Sequence, residues 1–386
     1  MSNLAFFTHD HWNEMFPFGK SHSLGHIRLG ALKLNEWWSR AATRFFLSLE
    51  QETKLKVLEA IKNSRFNDRW LPTSAAFEAL SELLPGQSIY ANGIPLLVAV
   101  NAESSVPPIN LESRDIAYLA NATDLFSKLE TWLEWQHELI IDAWSLAPPD
   151  VPGHVTCIGP TERIWIHPTA KLTACTLNSE NGPIFIGEGA EIQEGSHLRG
   201  PVAIGEHTVL KMGTRVYGPT AFGPQCRIGG EVSNCSFAGY SNKGHDGFLG
   251  NSVIGKWCNL GADTNSSNLK SNYSAVRLWS QPHGEFIDSG LQFCGVLMGD
   301  HTKCGINTMF NTGTVIGEGC NIFGGGFQPK HIPSYSWGGG DDWQLHGFDR
   351  FIATAERVMA RRGAFITEEE IQALREQHQE ASARFE

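Results

Sequence analysis

From Ile186 the chain places an apolar residue at every sixth position, through Ile192, Leu198, Ile204, Leu210, Val216 and Phe222 to Ile228. After a shift of phase the spacing resumes at Phe248, Ile254 and Leu260, and after another at Met298, Cys304, Phe310, Ile316 and Ile322, with a weaker beginning at Ile166 and Leu172. Four positions after each anchor the side chain is small or β-branched, as at Ala190, Ser196, Thr208, Thr214, Cys226, Cys258, Thr302 and Cys320, which suits a sharp corner. Glycine often follows the anchor, as at Gly187, Gly205, Gly229, Gly261 and Gly317, where the backbone must turn between flat faces. A period of six is neither helical nor a plain alternation; it predicts a parallel β-helix whose stacked coils share one core. With three hexapeptides to a triangular coil, residues 166–322 predict roughly seven coils.

The flanks read differently. Residues 4–7 (LAFF) predict a first strand, and 35–46 and 73–84 carry helical patterns, together a small α/β unit. Residues 124–143 predict an amphipathic helix with Leu125, Leu129, Leu133, Ile140 and Ile141 on its apolar face, ended by the run APPDVPG at 147–153. Near the C-terminus, Phe351, Ile352, Ala355, Val358 and Met359 mark one face of a helix over 349–362 that Gly363 can terminate. A second helix opens at Thr367 with Glu370 three residues on, a capping box. Such helices would cover an exposed end of the β-helix. The expected organisation is a mainly β chain: 1–120 a small α/β domain, 121–153 a helix and linker, 154–328 the parallel β-helix, and 329–386 a loop with the C-terminal helices.

Composition narrows the function classes. The 386-residue chain has a formal net charge of −11, and its Lys and Arg are scattered, so nucleic acid is not an expected partner. No stretch approaches the roughly 20 apolar residues of a membrane span and the N-terminus has no signal-like pattern, so the expected location is cytoplasmic. The eight cysteines form no C-x-x-C pair, and several sit at inward positions, which reads as small buried thiols rather than disulfides or zinc ligands.

The repeat stumbles in the segment SNKGHDGFLGNSVIGKWCNLGADTNSSN, residues 241–268, which contains His245. The register lapses again over 264–289, as expected of a loop extruded from a coil corner. With GPVAIGEHTVLKMG, GLQFCGVLMGDHTKCGINTMFNTGTVIG and ERVMARRG, this segment resembles the sugar-nucleotidyltransferase family of bacteria, over nearly the full length. That family is related to the bifunctional enzyme that acetylates glucosamine-1-phosphate and uridylylates the product. Residues 1–120 accordingly resemble a reduced nucleotidyltransferase domain.

The resemblance implies a left-handed sense for the β-helix, a homotrimer with sites in clefts between copies, an extruded loop that reaches a neighbour, and acetyl-CoA as acyl donor. Residue by residue, NKGHDGFLG, CNLGADT and SNL correspond to the acetyltransferase coil of the bifunctional relative. His245 then falls on the catalytic base, Asn259 on the residue that meets the acceptor amine, Asn268 on a sugar contact, and Ala262 on the residue whose N–H faces the thioester oxygen. Lys243 joins the expected substrate contacts, and Gly261 the acyl-CoA and oxyanion contacts. Two departures bear on the acceptor: Phe248 replaces a Tyr, and Ser233 and Asn234 lie where the relative has phosphate-binding Lys. A neutral-pH imidazole suits removal of a proton from an attacking amine. The alternative for His245 is a surface-loop residue; His301 and His331 read as loop or groove residues, not ligands.

Two other functions compete with an N-acetyltransferase of sugars or sugar phosphates. Nucleotidyl transfer would reside in the N-terminal domain and need a Gly-rich phosphate loop and carboxylates for magnesium. GHIRLG at 25–30 lacks the Lys-Ser/Thr such a loop requires, and the run SHS at 21–23 stands where family members carry T-R-P. No His or carboxylate spacing suggests a metal. The third reading is a non-catalytic trimeric scaffold.

Overall fold

The computed structural model describes residues 5–7, 15–18, 27–62, 64–100, 106–112 and 117–385. The chain forms two compact units, one built mainly from residues 32–120 and the other mainly from 121–386, with short N-terminal segments in each.

The first unit is a five-stranded mixed sheet in the order Ala5–Phe7, Ser64–Asn67, Ile94–Ala99, Ile89–Ala91, Ile109–Leu111. It carries the helices Leu34–Ser48, Gln51–Lys62 and Ser74–Ser81. Trp38 lies in its core against Phe66 and Trp70, and its buried indole N–H donates to the Trp70 carbonyl at 2.6 Å. Thr73 caps Ser74–Ser81 by accepting from Ala76 N. Two expected helices are thus present, together with a third, Gln51–Lys62, that buries Val57, Ala60 and Ile61. The SHS run lies outside the described residues, as does the beginning of GHIRLG.

In the second unit three faces run in parallel register. The first stacks Thr156–Ile158, Thr176–Asn178, His197–Arg199 and Arg215–Tyr217. The second stacks Ile164–Ile166, Ile184–Ile186, Val202–Ile204 and Thr220–Phe222. The third stacks Lys171–Leu172, Glu191–Ile192, Val209–Leu210, Arg227–Ile228, Asn242–Lys243, Asn259–Leu260, Lys303–Cys304, Asn321–Ile322 and Ser336–Gly339. This is the parallel β-helix that the period of six predicts. The third face has ten strands, the last of them, Asp342–Leu345, antiparallel. The nine parallel strands make nine coils, not about seven. Thr156–Ile158 opens a coil before the first anchor, and His331–Ile332 with Ser336–Gly339 closes one beyond the last, inside the stretch expected to be loop.

Aliphatic anchors from Ile184 to Ile322 fill the interior. The restricted corner positions are buried too, and their hydroxyls explain the restriction. Thr208 Oγ1 donates to Gly223 O at 2.8 Å and accepts from Cys226 N at 2.9 Å; Thr302 does the same with Gly317 O and Cys320 N. A short hydroxyl at a corner thus satisfies backbone groups of the next coil that the turn leaves unpaired. All eight cysteines are free, seven of them buried, and burial raises the Cys226 thiol to about 11.

The stumble has a geometric cause. After Ile228 the next inward residues are Val232 and Phe237, then Lys243, Leu249, Ile254 and Leu260. Corners at Gly229–Gly230 and at Asn234 and Asn251 are shorter than elsewhere, so Glu231–Gly239 and Phe248–Lys256 run unbroken from the first face to the second. Leu249, fully buried, is therefore the inward residue, and Phe248 is half-exposed on the outer side. The anchor expected at Phe248 is one residue out.

The extruded segment is a hairpin, Arg277–Ser280 with Glu285–Asp288, that folds onto its own coils. Val276 and Leu278 are buried, Trp279 stacks on His331 with ring centroids 4.0 Å apart, and Lys330 Nζ donates to Arg277 O at 3.0 Å. Residues 124–144 form three consecutive helical pieces, Asp124–Ser127, Leu129–Trp135 and His137–Trp144, that bury Leu125, Leu129, Leu133 and Ile140. At the C-terminus Phe348–Ala360 buries Phe351, Ala355 and Met359, and Glu368–Ser382 begins with the Thr367–Glu370 capping box. Tyr335 of the last coil packs against both helices and donates its hydroxyl to Leu374 O.

Candidate functional site

Residues 244–247 turn the chain from the third face to the first. His245 stands at this corner with its side chain exposed, and its ring has no hydrogen-bond partner among the described residues. The backbone beneath is fixed. Lys243 occupies an inward position of the third face, between Ile228 and Leu260, and is only 1% exposed. Its ammonium donates to Gly229 O at 2.9 Å and to His245 O at 3.0 Å. Lys243 was expected to touch substrate; it lies inside the coil, committed to two carbonyls. Burial lowers its pKa to about 8, against the opposing effect of Asp246, Cys235 and Asp263.

The next coil supplies the neighbours. Asp263 N donates to Asp246 O at 3.0 Å, which ties the His245 corner to the Gly261–Ala262 corner. Gly261 is required there, because a Cβ would lie 2.3 Å from the Gly305 carbonyl carbon. Ala262 is half-buried, its carbonyl accepts from Asn307 N at 2.8 Å, and its own N–H has no acceptor among the described residues. Asn259 projects outward from the third face and accepts from Asn242 Nδ2 at 3.3 Å. His245, Gly261, Ala262 and Asn259 therefore share one corner and the adjoining edge of the third face.

Asn268 does not join them. It lies at the corner between the first and second faces, where its Nδ2 donates to Asn251 Oδ1 at 2.7 Å. Phe248 occupies the face between the two corners: a Cβ on Gly250 would be 2.6 Å from both the Phe248 ring and Asn268 Nδ2. Ser233 and Asn234 sit on Asn268's side of that face, with Asn234 in the left-handed region at φ 51° and its buried Oδ1 unpartnered among the described residues.

Sequence reasoning missed Asn242 and Arg362. Arg362, in the turn after Phe348–Ala360, donates from Nη2 to Asn242 Oδ1 at 3.1 Å, so the C-terminal segment reaches the edge of the His245 corner. ERVMARRG was noticeable only as a matching run, since nothing in it points to a partner 120 residues earlier. His301, buried at 8% exposure, stacks on Trp257. The buried Nε2 of His331 has no hydrogen-bond partner among the described residues, and burial lowers this imidazole to about 4. Among the described residues no cluster of three His, Cys, Asp or Glu side chains could hold a metal, and no helix is long and apolar enough to cross a membrane.

The fold and this corner define a parallel β-helix protein with a separate α/β unit, an exposed imidazole and an unpaired backbone N–H on successive coils. No family model matches the sequence. Over 153 residues, 39% of this chain and 38% of the relative, it is 33% identical to the bifunctional sugar-1-phosphate nucleotidylyltransferase/acetyltransferase of Sulfurisphaera tokodaii. Over 78 residues, 20% of this chain and 18% of the relative, it is 33% identical to the bifunctional protein GlmU of Methanocaldococcus jannaschii. The chain is similar to these bifunctional proteins over these stretches, and spans about a fifth to two-fifths of the length of these curated relatives.

Solved structures give the same kind of match at lower identity. Arabidopsis UDP-N-acetylglucosamine acyltransferase matches at 16% identity over 53% of this chain and 79% of that one, with a TM-score of 0.21. A mutant of AntD, an N-acyltransferase from Bacillus cereus in complex with dTDP and coenzyme A, matches at 14% over 54% and 91%, with a TM-score of 0.23. Scores this low carry no argument about activity; the β-helix rests on its own strand register.

Proposed function

We propose that this chain transfers an acyl group, in the first instance acetyl from acetyl-CoA, to the amino group of a sugar or sugar phosphate, with His245 as general base. The observation that carries the reading is the unpartnered His245 imidazole one coil below the unpaired Ala262 N–H. The part-length relation to bifunctional nucleotidylyltransferase/acetyltransferases supports it.

In this mechanism the neutral amine attacks the thioester carbonyl as His245 takes a proton from the nitrogen. Negative charge gathers on the carbonyl oxygen, to which the Ala262 N–H donates. The C–S bond then breaks, and the departing thiolate takes the proton from the imidazolium. Gly261 lets the backbone approach closely, and Asn259 orients the acceptor. Asn268 lies at the far edge of the first face, so its contact with the sugar requires a ligand extended across that face, or a second copy of the chain. The second arrangement is the homotrimer, with each site in a crevice between copies.

The test is thiol release from acetyl-CoA with amino-sugar phosphates. The native chain should release thiol, and His245→Ala should lower turnover by about 10²–10⁴-fold while the oligomer stays intact. Unchanged turnover in His245→Ala overturns the assignment. Pyrophosphate release from UTP and a sugar-1-phosphate without thiol release would favour the nucleotidylyltransferase reading; ligand binding without either would favour the scaffold.

A further inference from the structure

We propose that Arg227, Arg361 and Arg362 form a binding site for the phosphate groups of an anionic ligand, on the outer third face beside Asn259. Arg227 and Asn242 are register partners on adjacent strands of that face. Arg362 Nη2 donates to Asn242 Oδ1 at 3.1 Å, and Asn242 Nδ2 donates to Asn259 Oδ1 at 3.3 Å. Asn242 thus holds the Arg362 guanidinium over the strand that carries Arg227, at the edge of the His245 corner. Arg227 is itself fixed, donating from Nη1 to His207 O and Cys226 O, each at 2.9 Å. Each guanidinium has five N–H donors, so both keep donors for a guest.

The charges around this group are unbalanced. None of the three arginines is ion-paired among the described residues. Arg362 loses proton affinity through partial burial and through Arg227 and Arg361, opposed only by the Cys226 thiol, with no carboxylate contributing. Cys226, buried under this face, also feels Arg28 as a cation. In a chain of net charge −11, a basic surface does not explain unneutralised guanidinium groups gathered at one place. The C-terminus of Phe348–Ala360 favours a nearby cation, which accounts for Arg361. It does not account for Arg362 turning toward Arg227, where like charges repel. A bound phosphate would offset that repulsion and use the planar donor geometry of arginine.

The ligand's phosphates could belong to a coenzyme A donor or to a phosphorylated or nucleotide-bearing acceptor. The site goes beyond the acyl-transfer reading and does not depend on His245. The test is calorimetric titration of the full chain with inorganic pyrophosphate, coenzyme A and UDP, for the native protein, the double variant Arg227→Gln/Arg362→Gln, and His245→Ala. Arg375→Gln, which removes a cation lying over Phe348, controls for loss of charge alone.

At least one probe should bind the native chain, and the double variant should bind it at least tenfold more weakly. His245→Ala and Arg375→Gln should bind it as the native chain does. Weakening for coenzyme A alone assigns the site to the donor, for UDP alone to the acceptor, and both outcomes support the site. If the double variant does not fold, the exposed Arg361→Gln should still weaken binding by about threefold. No binding of any probe to the native chain, or undiminished binding by the folded variants, overturns the proposal, whatever the fate of His245 as a base.

Discussion

The coils up to Ile228 and the two that follow share one interior but use it differently. In the earlier coils the steps are regular, and every anchor from Ile186 to Ile228 is apolar. In the later pair the corners shorten, Lys243 takes an inward position, and the expected site residues His245, Asn259 and Ala262 gather at one corner. Regular stacking supplies stability, and departures from it supply places where a side chain or a backbone N–H is left without a partner. Polar groups that depart from the pattern of their neighbours therefore mark where to look for chemistry.

That contrast can be broken by mutation. Phe222→Ala in the regular region should have the largest effect on stability, lowering the unfolding free energy by about 3–5 kcal/mol in urea titration; a loss below about 1 kcal/mol would mean that the regular core is not the main support. Lys243→Met should leave net stability near neutral, since it removes a buried charge along with its two hydrogen bonds. It should nevertheless lower the acyl-transfer rate constant about tenfold, equivalent to about 1.4 kcal/mol, by freeing the His245 backbone. A native rate in this variant would show that the imidazole does not depend on the lysine beneath it.

Lys243 also sets a pH signature. Its pKa falls from the ordinary 10.5 to about 8 on folding, so between those values the unfolded chain binds more protons than the folded one. Stability should then rise as pH climbs through that window, because the folded chain sheds a buried charge before the unfolded chain does. The midpoint of denaturation followed from pH 7.5 to 10.5 should show this rise in the native protein and lose it in Lys243→Met. Thr208→Val, which removes a corner hydroxyl with one donor and one acceptor partner, should cost about 1–2 kcal/mol. The smallest effect should be that of His245→Ala on stability, within about 0.5 kcal/mol by the same titration, because its exposed ring supports nothing; a large loss would make this histidine structural.

Much of this architecture is legible in the sequence because a β-helix repeats its inward contacts at fixed spacing. The anchors from Ile186 to Ile228 are all buried, and the C-terminal capping box forms as its residues suggest. The errors arise where spacing changes or contacts become long-range. The short corner at Asn251 places Leu249, not Phe248, as the inward residue before Ile254. A lysine reads as a surface residue, and only the carbonyls of Gly229 and His245 show why Lys243 can lie inside. The last coil falls outside the expected 154–328 because Ser336–Gly339 carries none of the aliphatic anchors that reveal the others. Of the candidate site, the grouping of His245 with Gly261 and Ala262 follows from one coil length of sequence. The separation of Asn268 and the approach of Arg362 do not, since both depend on how distant segments turn.

The strand Asp342–Leu345 reverses direction against Ser336–Gly339, and the last coil is therefore paired by the chain itself. On the third face the edge of Ser336–Gly339 is taken by a strand of the same chain. A reversed strand thus closes this one face, and the parallel register of the coils is not handed on through it.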